Sequence, residues 1–60
     1  MPTARAIELH MGDAPAGYAR LEIVSEDLTG ERFVIEVEGP ESEVRAEAEF
    51  LATQFHLVTA

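Results

Sequence analysis

An α+β fold is what this 60-residue chain predicts: a three-stranded antiparallel β-meander with one C-terminal helix packed on one face, in the order βββα. Two observations carry it. Three stretches of alternating apolar and polar residues are separated by turn-forming segments, and after Gly39 the hydrophobic period changes from two to about 3.6. A sheet that is apolar on one face and a helix with one apolar stripe form a two-layer solution. Residues 1–60 are read as a single small domain; a chain this short buries only about 60% of the surface its unfolded form exposes.

The first strand is expected from Thr3 to Met11, with Arg5, Ile7, Leu9 and Met11 on one face and Ala6, Glu8 and His10 on the other. GDAPAG at 12–17 is a loop, because its glycines supply positive φ and its proline a fixed φ. YARLEIVS at 18–25 is the second strand, setting Ala19, Leu21 and Ile23 against Arg20, Glu22 and Val24. In SEDLTGE, Gly30 stands where a left-handed residue closes a short hairpin loop. The third strand runs from Arg32 to Glu38, with Phe33, Ile35 and Val37 inward.

Pro40 suits a first helical turn, where its missing N–H would be unpaired anyway. Glu41 and Glu43 then face the positive end of the helix dipole, an arrangement worth roughly 0.3–1 kcal/mol each. At 100° per residue Val44, Ala48, Leu51, Phe55 and Val58 form one stripe, the face expected to cover the sheet. For the tail from Leu57 to Ala60, fraying and a short extended piece are both open.

Composition narrows the function classes. Twelve Asp and Glu against four Arg, with a formal net charge of −8, argue against direct binding of nucleic acid or an anionic membrane and for a basic protein partner. Solubility is the plainer account of the same charge. The start MPTARAIELH lacks the charged and long apolar segments of a signal peptide or membrane span, so a cytoplasmic location is expected. There is no cysteine, hence neither a disulfide nor a thiolate nucleophile. Ser25 and Ser42 have no neighbouring histidine, no phosphate-cradling glycine motif is present, and His10 beside Asp13, or His56 alone, falls short of a metal-ligand set. No enzymatic activity and no cofactor are expected.

Two surfaces remain. On the outer face of the sheet Glu8, Glu22 and Glu36 form an acidic row if the strands align, with Glu38 beside it. Two face-preserving registers are open to the second hairpin. One places Ile23 opposite Ile35, which opposes Glu22 to Glu36 and Arg20 to Glu38; the other, slipped by two, sets Arg20 against Glu36 and Glu22 against Val34. Like charges directly opposed are destabilising, so the first register leaves a cost that an external cation relieves. On the helix, Phe50 lies roughly 120° from the core stripe with Ala46 and Leu57 beside it and Glu47 between it and the sheet, a second apolar stripe of the kind that marks interfaces. A Phe50 folded over the sheet edge is the alternative.

The expectation is therefore a non-enzymatic acidic interaction module or inhibitor. Its partner-binding residues would be Glu8, Glu22, Glu36, Glu38, Ala46, Glu47, Phe50 and Leu57, and its partner a basic, possibly nucleic-acid-binding, protein surface. Small phage-type inhibitors of host defence, anti-CRISPR nucleic-acid mimics among them, offer an analogy of mechanism. The alternative is a structural subunit or homodimer paired through Ala46, Phe50 and Leu57.

Overall fold

In the computed structural model, which describes residues 4–57, β1 (Ala4–Gly12), β2 (Tyr18–Asp27) and β3 (Arg32–Pro40) pair antiparallel in the order β1-β2-β3, and α1 (Glu41–Phe55) follows. The βββα order is the one the alternation predicts. Each strand runs a residue or two further than its sequence pattern, as turns and sheet ends allow.

The β2–β3 turn is organised by one carboxylate. Asp27 Oδ1 accepts from the Thr29 amide at 2.8 Å, the Thr29 hydroxyl at 2.6 Å and the Glu31 amide at 3.0 Å. The Gly30 amide closes onto the Asp27 carbonyl at 3.1 Å, and Gly30 sits at φ 89°, a conformation that glycine adopts without a Cβ penalty. This turn fixes which residues face each other. Glu26 pairs with Arg32, Ile23 with Ile35 and Glu22 with Glu36, the first of the two registers left open above.

β1 departs from simple alternation. Its pairing to β2 shifts between Ala6 and Glu8, so Ile7 is an extra residue in a β-bulge. The expectation that Arg5, Ile7 and Leu9 share a face is thereby corrected: Ala6 and Leu9 are both buried, and Arg5 points to the outer face, where its guanidinium lies 3.3 Å from Glu26. An unbroken alternation would have put Arg5 under the helix without a counter-ion.

Ala6, Leu9, Ala19, Leu21, Ile23, Val44 and Ala48 form the core, with Leu9 and Leu21 wholly inaccessible. All the buried strand residues come from β1 and β2. A helix about 10 Å across lies over roughly two strands spaced about 4.8 Å apart, and the strand side chains sealed in the core with Val44 and Ala48 of α1 are those of β1 and β2. On β3 only Val37 is partly packed, while Phe33 and Ile35, expected inward, are 40% and 46% exposed although they share the core's face. The radius of gyration, 11.7 Å, exceeds the about 10.4 Å of a close-packed chain of this length, in keeping with a core open on one side.

Pro40 (φ −54°, ψ 136°) is the last residue of β3 and the position just before the helix, which it enters without a side-chain cap. The Glu41 amide donates instead to the Gly17 carbonyl at 3.0 Å, tying the helix start to the loop between β1 and β2. Glu41 also holds Arg45, one turn on, at 2.8 Å. At the other end His56 takes the left-handed conformation (φ 58°, ψ 48°), and the Leu57 amide donates to the Ala52 carbonyl at 2.8 Å, a Schellman-type stop. Val58 of the expected core stripe lies outside the described residues.

Candidate functional site

On the outer face of the sheet, side chains line up across the strands according to the pairing. Arg5, Glu26 and Arg32 form one row, with Glu26 3.3 Å from Arg5 and 3.5 Å from Arg32. The next row is Glu8, Val24 and Val34; the next is His10, Glu22 and Glu36; the last is Gly12, Arg20 and Glu38. Glu8 therefore does not stand in line with Glu22 and Glu36, because the register of the first hairpin gives the place opposite Glu22 to His10 and sets Glu8 against Val24. The straight row of three becomes a pair, Glu22 opposite Glu36, with Glu8 diagonal to it and Glu38 two residues along.

Charge within this patch is only partly compensated. Arg20 reaches Glu36 at 3.7 Å and Glu38 at 3.9 Å, both long contacts between partly exposed groups of the kind worth little in water. His10 Nε2 lies 3.6 Å from Glu8 Oε1, an ion pair when the imidazole is protonated. Among the described residues Glu22 has no cation within 4 Å. It is half-buried on the central strand and faces a second carboxylate across the β2–β3 pair.

On the helix, Ala46, Glu47 and Phe50 are exposed, Phe50 at 61%. An open depression on the solvent side of α1 is lined by Ala46, Glu49, Phe50 and Thr53. Leu57 does not belong to this stripe. The left-handed turn at His56 ends the helix, and Leu57 folds back to pack against the core, so an apolar stripe of Ala46, Phe50 and Leu57 does not exist as a unit.

Sequence reasoning overlooked the exposed half of the inner face. Phe33 and Ile35 on β3 are uncovered, and Val34, on the opposite face of the same strand, is 58% exposed. The signal was the narrowness of the only helix among the described residues, whose stripe begins with Val44 and the small Ala48 and cannot span three strands. Leu28, 85% exposed at the tip of the β2–β3 turn, is a further apolar side chain in solvent.

For chemistry the described residues offer little. No group of three or more His, Asp or Glu is placed to hold a metal ion. One carboxyl is clearly perturbed: the Thr29 hydroxyl, supported by the turn amides of Thr29, Glu31 and Gly30 and opposed by desolvation, lowers the pKa of Asp27. That perturbation belongs to the turn and has a structural cause. No described helix is long and apolar enough to cross a membrane. No protein-family model, no curated protein and no solved structure matches the chain.

Proposed function

We propose that the chain is a non-enzymatic protein-interaction module whose acidic outer face engages a basic surface on a larger protein. The observation that carries this reading is the Glu22–Glu36 opposition. Two carboxylates face each other across paired strands, one of them without a cationic partner among the described residues, and like charges so placed destabilise the isolated fold. A guanidinium or ammonium from a partner relieves that repulsion on binding, so the arrangement favours the complex over the free chain. Glu8 and Glu38 extend the patch on either side. A partner that ordinarily holds phosphates in a basic groove meets the same chemistry in carboxylates, the route by which a small acidic protein acts as a nucleic-acid mimic and inhibitor. Phe50 and Ala46, exposed on the helix, are available for apolar contact.

The test is capture of basic nucleic-acid-binding proteins on the immobilised chain at low salt, with DNA as competitor. The double substitution Glu22→Lys/Glu36→Lys inverts the sign of the patch; because it also sets an ammonium at position 36 beside Arg20, circular dichroism confirms that the variant is folded. It is expected to abolish DNA-competable capture, and Phe50→Ala to weaken it less. Capture unchanged by the double substitution, or indifferent to DNA, would sink the reading.

A further inference from the structure

The geometry points to self-association through β3: two copies of this chain pair their β3 strands antiparallel about a two-fold axis at Ile35, making a six-stranded sheet with both helices on one face. Edge strands are blunted by bulges, lysines, prolines within the strand or a covering element, because a bare row of N–H and C=O groups is a template for another strand. β3 has no bulge in its pairing to β2, no lysine, and a proline only at its last position. It also presents apolar groups on both faces, Phe33 and Ile35 on the inner and Val34 on the outer.

The residues of β3 are complementary to themselves in one register. With Ile35 opposite Ile35 of the second copy, Phe33 meets Val37, Arg32 meets Glu38 and Val34 meets Glu36, and each pairing recurs on the other side of the axis. Apolar residues then face apolar residues on the inner side, and each Arg32 gains a carboxylate across the junction. Arg32 is free to accept one: it is 63% exposed, and its link to Glu26 is a long 3.5 Å. Slipping by one residue opposes the inner face of one copy to the outer face of the other. Slipping by two in one direction sets Glu36 on Glu36, and in the other carries Glu38 past the strand to Gly30 in the turn. Phe33 and Ile35, left open beside α1 in each copy, then lie side by side along the junction on its inner face. The outer face stays exposed to solvent, with Glu38 now beside Arg32 of the second copy, and self-association is read by mass rather than by capture, so the two readings can fail separately.

Solution mass by light scattering after gel filtration, across a concentration series, reads the assembly, with circular dichroism to confirm that each variant is folded. Twice the chain mass is expected for the wild type, and the mass of one chain for Ile35→Lys, which brings two cations together at the axis. The register is read by charge exchange. Arg32→Glu and Glu38→Arg should each raise the dimer Kd on the order of tenfold, by turning two attractive cross-strand pairs repulsive. Mixed together, the two single variants should form a heterodimer of wild-type affinity, since every junction pair is again of opposite sign. A wild-type chain that stays monomeric throughout overturns the inference. So does a dimer that survives Ile35→Lys but falls apart with Phe50→Asp, which would place the contact on the helix.

Discussion

At one edge of the sheet, β1 carries a bulge at Ile7, buries Ala6 and Leu9 beneath the helix and pairs Arg5 with Glu26. At the other, β3 runs without a bulge, contributes no buried side chain to the core and leaves Phe33, Val34 and Ile35 in solvent. Both are unpaired edges of a three-stranded meander, yet only the first is interrupted by a bulge, one of the features that discourage further pairing. The difference teaches where this small chain places its stability and where it places its contacts. β1 and β2 with α1 form the closed half, and β3 is held mainly by its ladder to β2 and by the Asp27 turn.

The largest effect that tests this division is a pair of truncations. Leu9→Ala removes a wholly buried side chain and should cost about 2–5 kcal/mol, a large share of what a 60-residue domain possesses. Ile35→Ala, measured by urea unfolding at concentrations where the chain is monomeric, should cost under about 1 kcal/mol because the side chain is already half in water. Equal losses at the two sites would erase the distinction between the halves.

A smaller change makes one edge resemble the other. Deleting Ile7 removes the extra residue while leaving Arg5 outward and Ala6 and Leu9 inward, so β1 becomes a regular strand. The fold should survive with a modest loss, roughly 1 kcal/mol, for the missing half-buried side chain. Having two open edges, the variant should grow assemblies larger than a dimer, because pairing at both ends does not close. Sedimentation velocity would show it; a variant with the wild-type distribution would mean that the bulge does not protect β1.

The subtlest test concerns the turn that presents β3. The pKa of Asp27 is lowered in the fold, so its contribution to stability is present above the unfolded carboxylate value near 3.9 and is lost as pH falls through the folded value. Asp27→Asn should therefore be less stable than wild type at neutral pH, with the gap narrowing below about pH 4. Thermal unfolding at several pH values would reveal it, and a gap that persists unchanged into acid would remove the carboxylate from the account.

The elements were legible in the sequence because each carries its own period: the alternation of YARLEIVS, the breaker-rich GDAPAG, and the change of period at Gly39. The second hairpin's register was not: the alternation allows two, and the geometry of the turn chooses between them. A three-residue loop with Gly30 left-handed sets Asp27 against Glu31, and every pair up to Tyr18 with Pro40 follows. The bulge had no such marker, since Ile7 is neither glycine nor proline and looks like a core residue. Nor did the helix end, where His56 takes a conformation usually given to glycine and so hides the point at which Leu57 leaves the helical face. Glu22 and Glu36 were placed together once the register was known, whereas the exposure of Phe33 and Ile35 depends on how far α1 reaches sideways, which no local pattern encodes.

That the core beneath α1 draws its buried strand residues from β1 and β2 rather than from the strand the helix follows has a bearing on how the chain is made. Each hairpin joins neighbours in sequence and closes within microseconds of being available. The helical members of the core that holds Leu9, however, are Val44 and Ala48. A growing chain emerging from the ribosome thus completes its sheet first and keeps Leu9 and Leu21 wet until most of the helix has appeared. For that interval, the delivery of residues 41 to 55 is all that stands between a finished meander and a dry core.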